Sequence, residues 1–244
     1  MNNLILFTFS SEAEKKTRTA LKTMLLVCFA LPLVAIAIDR LFPLPQEKLN
    51  PPSSTLLLDK DGNLLRAFLA PDEMWRLRVE SDDISPLLKK ATLAYEDRHF
   101  RYHPGVNPIS IVRAAVANIR AGKVAQGGST ITMQVARLIE PKERTIGGKL
   151  IEVWRALQLE AHYSKDEILT YYFNLAPYGG NLVGIGAASR VYFNKPPDKL
   201  SPGEAALLAA IPNSPNRNRP DVSSSSATKA RDKVLRSDAR TRRD

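Results

Sequence analysis

Apolar residues recur every three or four positions through most of the chain after residue 85, a spacing typical of amphipathic helices. The spacing predicts helices with inward-facing stripes formed by Leu87, Leu88, Ala91 and Ala94; Ile109, Val112, Val116 and Ile119; Ile131, Val135 and Leu138; and Ile146, Leu150, Val153 and Leu157. Helix start signals support this reading at Asn107-Pro108, Ser164 to Glu167 and Ser201 to Glu204. The prediction is a single, mostly α domain.

Before these helices, two short apolar runs, 55–59 and 63–68, flank the sequence Lys60-Asp61-Gly62. An Asp-Gly pair between such runs is typical of a tight turn, so a small β-hairpin is predicted. Residues 39–54 contain four prolines. Since proline breaks both helices and inner strands, this segment is predicted to be a stiff stalk.

The most apolar stretch runs from Leu21 to Ile38 and contains one charged residue, Lys22. It is slightly shorter than the roughly 20 residues that span a bilayer, and basic residues precede it. The positive-inside rule therefore predicts a cytoplasmic segment at 1–20, an anchor at 21–38, and everything after residue 40 outside. A cleaved signal peptide, with Ala35-Ile36-Ala37 as its cleavage site, and a buried soluble helix are the alternatives.

Composition narrows the class of partner. A net charge of +10 points to anionic partners such as nucleic acid, an anionic membrane or a phosphorylated substrate. The stretch 213–244 carries nine Lys or Arg and four Asp residues, which gives it +5. The single cysteine, Cys28, excludes an internal disulfide or a cysteine-based metal site within one chain.

Ionisable and aromatic residues are most concentrated at 95–105, directly after a predicted helix. A carboxylate such as Glu96 at the end of a helix can sit at the rim of a cleft, where burial and nearby cations tune its pKa for work as a base. A solvated helix end with ion pairs is the alternative. His99 and His103 lack the glutamate spacing of a zincin, so zinc is disfavoured.

Two further stretches could bind an anion. The turn Gly127-Gly128-Ser129-Thr130 leads into a helix, whose first N–H groups favour negative charge, although an ordinary N-cap would look the same. Lys149 and Glu152 lie three residues apart on one helix face, opposite the apolar stripe. They form either a surface ion pair or part of the cleft that contains Glu96.

Four motifs follow one another in a fixed order: Glu96-Asp97-Arg98-x-Phe100-x-x-His103-x-Gly105, Gly127-Gly128-Ser129-Thr130-Ile131-Thr132-x-Gln134, Lys149-x-x-Glu152, and Ser164-Lys165-Asp166-Glu167-Ile168-Leu169-x-x-Tyr172-x-Asn174. This order resembles the peptidoglycan glycosyltransferases of glycosyltransferase family 51. These form the N-terminal module of class A penicillin-binding proteins and also exist as monofunctional enzymes. The runs 147–149 and 154–160 look most like the penicillin-binding protein 1C branch.

The resemblance implies a lysozyme-like, two-lobed helical domain over 55–220 with a jaw near the membrane. Residues 221–244 are predicted to form a basic, partly flexible tail, because the serine tract at 223–226 is of low complexity. The implied reaction polymerises lipid II into glycan strands and releases undecaprenyl pyrophosphate. Glu96 would be the general base, and Glu152 would act on the leaving group directly or through Mg²⁺. The implied substrate-binding residues are Asp97, Phe100, His103, Gly128, Ser129, Thr130, Gln134, Arg137, Lys149 and Asn174.

The implied partners are lipid II, the growing strand, the inner membrane and other cell-wall synthesis proteins, rather than nucleic acid. Gly148 and Met133 stand where many relatives have arginine and glutamine, and the tail only loosely matches the last family motif. Two alternatives therefore stay open: a lysozyme-like lytic enzyme and a catalytically weak module that binds lipid II.

Overall fold

The computed structural model describes the backbone of residues 3–61, 64–122, 127–143 and 145–241. The chain separates into two units, residues 1–44 and 45–244. The first unit contains one long helix, α1 (Asn3–Leu41). Among the described residues, no helix combines the length and the apolar character needed to cross a membrane. The side chains of residues 25–29, including Cys28, lie outside the described part.

The second unit is mostly helical, as predicted. Its helices are α2 (Gln46–Leu49), α3 (Pro86–Glu96), α4 (Pro108–Ala121), α5 (Ile131–Ile139), α6 (Ile146–His162), α7 (Lys165–Leu175), α8 (Ile185–Phe193), α9 (Pro202–Ala210) and α10 (Ser224–Thr241). Helix α9 packs against α3 and α10, and α5 packs against α6 and α7. These two groups of helices bury the apolar core, which includes Leu88, Met133, Leu159 and Leu208.

Within the described residues, two small sheets accompany the helices. Strands β1 (Thr55–Leu58) and β2 (Leu64–Phe68) pair antiparallel, which confirms the predicted hairpin, although turn residues 62 and 63 lie outside the described part. Strands β3 (Trp75–Arg76), β4 (Pro177–Gly179) and β5 (Leu182–Val183) form a second sheet in the order β3-β5-β4. The stretch 177–186, which contains four glycines, thus contributes two short strands.

The predicted helix start signals act as expected. Asn107 caps α4 by accepting from the backbone of Ser110, and Pro108 takes the first helical position. Ser164 and Ser201 each form a complete capping box, at the start of α7 and α9. Because a capping box satisfies backbone N–H groups that the helix cannot pair, these helix starts are specified locally.

The predicted inward stripes of α4 and of the first half of α6 are wrong. Ile119 of α4 is 81% exposed and Ile146 of α6 is 84% exposed, and Val112 and Leu150 are exposed as well. Instead, Ser110 of α4 is partly buried, and the Glu152 side chain of α6 is only 10% exposed. Apolar periodicity identified each helix correctly, but it did not identify which face the fold buries.

Most of the tail predicted at 221–244 is helical, and its partial flexibility stays a prediction. Residues 224–241 form α10, which packs on α3 and α9 and buries Ala227 and Val234. The hydroxyl of Ser237 donates to the carbonyl of Ala94 at 3.0 Å. The basic tail is therefore part of the folded unit through residue 241.

Candidate functional site

Glu96 is the last residue of α3 and is half-buried. The side-chain amide of Gln134 donates to its Oε2 at 3.0 Å, and that of Asn213 approaches Oε1 at 3.4 Å. Burial raises the pKa of Glu96, while these amides and the charges of Lys233 and Arg137 oppose the rise. A carboxyl group with a raised pKa is a stronger base when ionised, as proton abstraction requires.

Asp97 and His103, both buried, secure the backbone around Glu96. The Nε2 atom of His103 lies 3.0 Å from each oxygen of Asp97, and the backbone N–H of Ile131 donates to Oδ2 at 3.0 Å. Thr130 caps α5 through the N–H of Met133 and donates to the carbonyl of Gly105 at 2.5 Å. These bonds join the end of α3 to the start of α5.

Phe100 is fully buried, and a cation lies against its ring. The Nζ atom of Lys165 is 4.5 Å from the ring centroid and donates to the carbonyl of His103 at 2.7 Å. The same ammonium pairs with Glu160 at 2.6 Å, and Glu160 also accepts from Thr132 at 2.6 Å. Sequence reasoning assigned no such role to Lys165 or Glu160, because both lie on helices that are remote in sequence from Phe100.

Lys149 and Glu152 form more than a surface ion pair. Lys149 Nζ lies 2.7 Å from Glu152 Oε1 and donates to the hydroxyl of Ser129 at 2.8 Å. Arg137 Nη1 is 4.0 Å from Glu152 Oε2, and the Glu152 side chain is 10% exposed. The pair therefore sits on the inward face of α6 and links the Gly-Gly-Ser-Thr turn to α5.

Glu96 opens into a groove of about 1120 Å³, lined by Tyr95, Glu96, Arg98, Arg113, Gly127, Ser129, Gln134, Arg137, Pro212, Asn213, Lys229, Asp232, Lys233, Arg236 and Ser237. Six of these side chains are cationic and two are acidic. A neighbouring hollow of about 300 Å³ adds Asp97, Gly128 and Thr130 to the same region. Glu152 is joined to the groove wall through Arg137 and through Lys149, which donates to Ser129.

Most of the predicted site residues thus meet in one region, but Asn174 does not. Its amide nitrogen donates to the carbonyl of Val79 at 2.9 Å, and its oxygen accepts from the N–H of Val79 at 3.0 Å. Asn174 therefore anchors the loop before α3 to α7, and it is not among the described residues that line the groove. Its substrate-binding role remains a prediction.

Gly128 and Gly148 are both required by close packing. A Cβ atom at Gly128 would lie 2.9 Å from the Cα of Ile111, which lets the turn rest directly on α4. A Cβ atom at Gly148 would lie 2.2 Å from the carbonyl oxygen of Glu143. The missing arginine at position 148 is thus explained by the loop that crosses the start of α6.

Few of the described side chains in this region could bind a metal ion. The described residues contain no group of three His, Cys, Asp or Glu side chains arranged to hold one. Glu152 supplies one carboxylate, and its nearest charged neighbours are the cations Lys149 and Arg137. Mg²⁺ commonly binds through one or two carboxylates together with substrate phosphates. The donor set therefore does not fit an Mg²⁺ ion held by the protein alone, and Mg²⁺ stays a prediction.

Sequence reasoning missed the contribution of α10 to the groove. Lys229, Lys233 and Arg236 line it, and the Nζ atom of Lys233 lies 5.2 Å from the ring centroid of Tyr95. Their spacing of four and three residues places them on one helical face. That spacing was visible in the sequence, but the serine tract before it suggested a flexible exit.

Residues 61–238 match a family model described as Transglycosylase. The chain is 51% identical over 207 residues to penicillin-binding protein 1C of Escherichia coli, covering 85% of this chain and 27% of that protein. It is 40% identical over 177 residues to penicillin-binding protein 1A of the same organism, covering 72% and 20%. It is 38% identical over 198 residues to penicillin-binding protein 1A of Aquifex aeolicus, covering 79% and 27%.

The chain spans 27% or less of the length of these relatives. The crystal structure of penicillin-binding protein 1A from Haemophilus influenzae aligns with a TM-score of 0.41 and 20% identity, over 76% of this chain and 18% of that one. The match at 61–238 covers more than half of the chain and includes every residue of the groove. The chain therefore belongs to the transglycosylase family of the class A penicillin-binding proteins.

Proposed function

We propose that this chain is a membrane-anchored peptidoglycan glycosyltransferase that polymerises lipid II into glycan strands. The observation that carries the proposal is the position of Glu96, a carboxyl group with a raised pKa in a groove whose charged lining comprises six cations and two acids. Such a groove attracts substrates that carry a diphosphate. The family match supports a transglycosylase reaction at this groove.

In the proposed reaction, Glu96 takes the proton from the 4-hydroxyl of the acceptor's terminal GlcNAc. The hydroxyl oxygen forms a bond to the anomeric carbon of the MurNAc at the end of the growing strand. The bond from that carbon to the diphosphate oxygen breaks, its electron pair leaves with undecaprenyl pyrophosphate, and the proton passes from Glu96 to water. General-base catalysis of this kind typically contributes roughly 10²- to 10⁴-fold in rate.

The leaving diphosphate gains negative charge as its bond to the sugar breaks. Arg137 and Lys149 supply positive charge beside Ser129, and hydrogen bonds or charges aimed at a developing anion stabilise the transition state. Glu152 holds Lys149 in place through their 2.7 Å contact. If Mg²⁺ is bound, Glu152 and the diphosphate would share it, and the ion would supply further positive charge there.

Two features support work at a membrane, where a polyprenyl donor resides. Helix α1 covers the apolar stretch 21–38 with basic residues before it, so the N-terminus would lie in the cytoplasm and residues 45–244 outside the inner membrane. The outward faces of α4 and α6 expose Ile119, Ile146 and other large apolar side chains. Exposed apolar patches commonly mark membrane or protein contacts.

The test is to incubate the purified chain with labelled lipid II and Mg²⁺ and to separate the products by size. Glycan chains are expected from the parent. The Glu96→Gln variant should form at most roughly one hundredth as much, because its amide cannot accept the proton. The exposed Glu47→Gln change in α2 removes one carboxylate away from the groove and should have no effect.

Undiminished polymerisation by Glu96→Gln would remove Glu96 as the base. Binding of lipid II without turnover would favour the weak binding module, and release of fragments from mature cell wall would favour a lytic enzyme. A parent that neither binds nor converts lipid II would refute the proposed function as a whole.

A further inference from the structure

A largely buried ion pair supports the loop that follows Glu96. Glu160 of α6 and Lys165, the first residue of α7, pair at 2.6 Å, and their side chains are 12% and 19% exposed. Neither residue is among the described residues that line the groove. A pair outside the groove can influence the reaction only through the residues that it contacts.

The ammonium of Lys165 contacts the loop 97–105 at two points. It donates to the backbone carbonyl of His103 at 2.7 Å, and it lies 4.5 Å from the centroid of the Phe100 ring. A carbonyl oxygen and the face of an aromatic ring both attract a cation. The first turn of a helix is an unfavourable place for a positive charge, so this lysine does not serve the stability of α7 itself.

Glu160 holds the ammonium and connects it to a further helix. Its Oε1 atom also accepts from the hydroxyl of Thr132 on α5, at 2.6 Å. Its Cγ atom packs against Gly105, where an added Cβ atom would lie 2.8 Å away. The ion pair therefore joins the loop 97–105 to three helices, α5, α6 and α7.

The position of this loop bears directly on Glu96. The loop begins at Asp97, the residue after Glu96, and Asp97 is held by the ring of His103 at 3.0 Å. The amide that donates to Glu96 belongs to Gln134, two residues after Thr132 on α5. Loss of the ion pair would thus loosen both sides of the contact between Glu96 and Gln134. A displacement of about 1 Å at a reacting group can lower a rate by about 100-fold.

Building on the proposed function, we propose that Lys165 is a positioning residue whose ammonium, held by Glu160, keeps the carboxylate of Glu96 aligned with the acceptor hydroxyl. Lys165 acts through the carbonyl of His103 and the ring of Phe100, and not by contact with the substrate. Its loss should therefore lower kcat while the KM for lipid II stays nearly the same, because the groove residues that bind the substrate are kept.

The test compares Lys165→Met with Arg155→Met in the full chain, with labelled lipid II as the substrate. Methionine keeps an unbranched, apolar side chain and removes the cation. Arg155 is a matched control, because its side chain is 12% exposed and pairs with Glu140 at 2.6 Å, between α6 and the end of α5. Urea unfolding gives the folded fraction of each variant, and kcat is expressed per folded chain.

Lys165→Met should lower kcat per folded chain roughly 10- to 100-fold and change the KM by less than about twofold. The fall of kcat/KM at low pH should move to higher pH, because Glu96 loses the Gln134 amide that lowers its pKa. Arg155→Met should leave kcat, the KM and the pH profile as in the parent. Both variants retain the other groups that act on the Glu96 carboxyl, namely Asn213, Lys233, Arg137 and Tyr172.

A second variant separates positioning from stability. In Lys165→Met the Glu160 carboxylate loses its cation in a largely buried site, which destabilises the fold. Adding Glu160→Gln removes that charge and keeps an oxygen that can accept from Thr132, so the double variant should regain part of the lost stability. Its kcat should stay as low as that of Lys165→Met, because the carbonyl of His103 still lacks the ammonium.

A kcat of Lys165→Met within about twofold of the parent would overturn the inference, and so would an equal loss in Arg155→Met or a lower kcat with an unchanged pH profile. Recovery of kcat together with stability in the double variant would also overturn it, because Lys165 would then act on the fold alone. If the parent polymerises lipid II, each of these results leaves the glycosyltransferase function intact. If the parent forms no glycan, the proposed function fails, and this inference fails with it.

Discussion

Asp97 offers a direct test of how the site is held together, because it carries two interactions at once. It accepts from the Nε2 of His103 and from the backbone N–H of Ile131, each at 3.0 Å. Both donors are in the buried interior around the start of α5. The Asp97→Ala change removes the acceptor for both, and the other ring nitrogen of His103 already lacks a partner among the described residues.

The expected loss of stability follows from the number of buried donors that are left without an acceptor. A buried donor left without an acceptor costs about 1–3 kcal/mol, so two of them predict a loss of about 2–6 kcal/mol in the free energy of unfolding. For a unit of this size, each kcal/mol lowers the thermal midpoint by about 2–4 °C, which gives a fall of roughly 4–24 °C. The Asp97→Asn change keeps one acceptor oxygen and should lose about half as much free energy.

The assay is urea and thermal unfolding of the parent, both variants and Asp82→Ala as a control. Asp82 is exposed, so its replacement should change the free energy of unfolding by less than about 0.5 kcal/mol. If Asp97→Ala is as stable as the control, Asp97 does not join α3 to α5 as described. If Asp97→Asn is less stable than Asp97→Ala, the number of donors left without an acceptor does not determine the loss of stability.

Three further outcomes are expected. The rate of polymerisation should fall as the pH drops through the raised pKa of Glu96. The Gln134→Leu change should move that fall to higher pH, because the Gln134 amide lowers this pKa. A pH profile of kcat/KM for the parent and for the variant measures both effects. The folded chain binds the Glu96 proton more tightly than the unfolded chain does, so ionised Glu96 lowers the stability of the fold as the pH rises above its ordinary pKa. The Glu96→Gln variant should therefore have an equal or higher thermal midpoint than the parent at pH 7. A lower midpoint would contradict this reasoning. The Gly148→Ala change should lower the free energy of unfolding, measured in urea, by about 1–3 kcal/mol, because the added Cβ would overlap the carbonyl of Glu143. An unchanged free energy of unfolding would show that the loop at Glu143 moves to make room.

Local features were predictable because they depend on residues close in sequence. The caps at Asn107, Ser164 and Ser201 are made within one helical turn, so their residue types were sufficient to place the starts of α4, α7 and α9. The pairing of Lys149 with Glu152 follows in the same way from a spacing of three residues. The order of the four motifs likewise indicated the family that the comparison confirmed.

The direction of each helix face could not be predicted in this way. Hydrophobic periodicity states that a helix has an apolar side, but burial depends on what the rest of the chain places against it. In α4 and the first half of α6, Ile119 and Ile146 are exposed, whereas Ser110 is partly buried and the Glu152 side chain is 10% exposed. Periodicity also does not reveal contacts between residues far apart in sequence, such as the bonds between the Asn174 amide and the backbone of Val79, 95 residues away.

By itself, the sequence determined helices α3 to α7 and α9, the starts of α4, α7 and α9, the hairpin and the residue types of the site, since each of these depends on neighbours within a few positions. Only the tertiary structure decided that Glu96, Arg137 and Ser129 share one groove with a face of α10. The physical reason is that long-range packing, here the burial of Val234 and its neighbours against α3 and α9, sets which distant charges meet. Charges brought together in this way determine both the pKa of Glu96 and the class of ligand that the groove can hold.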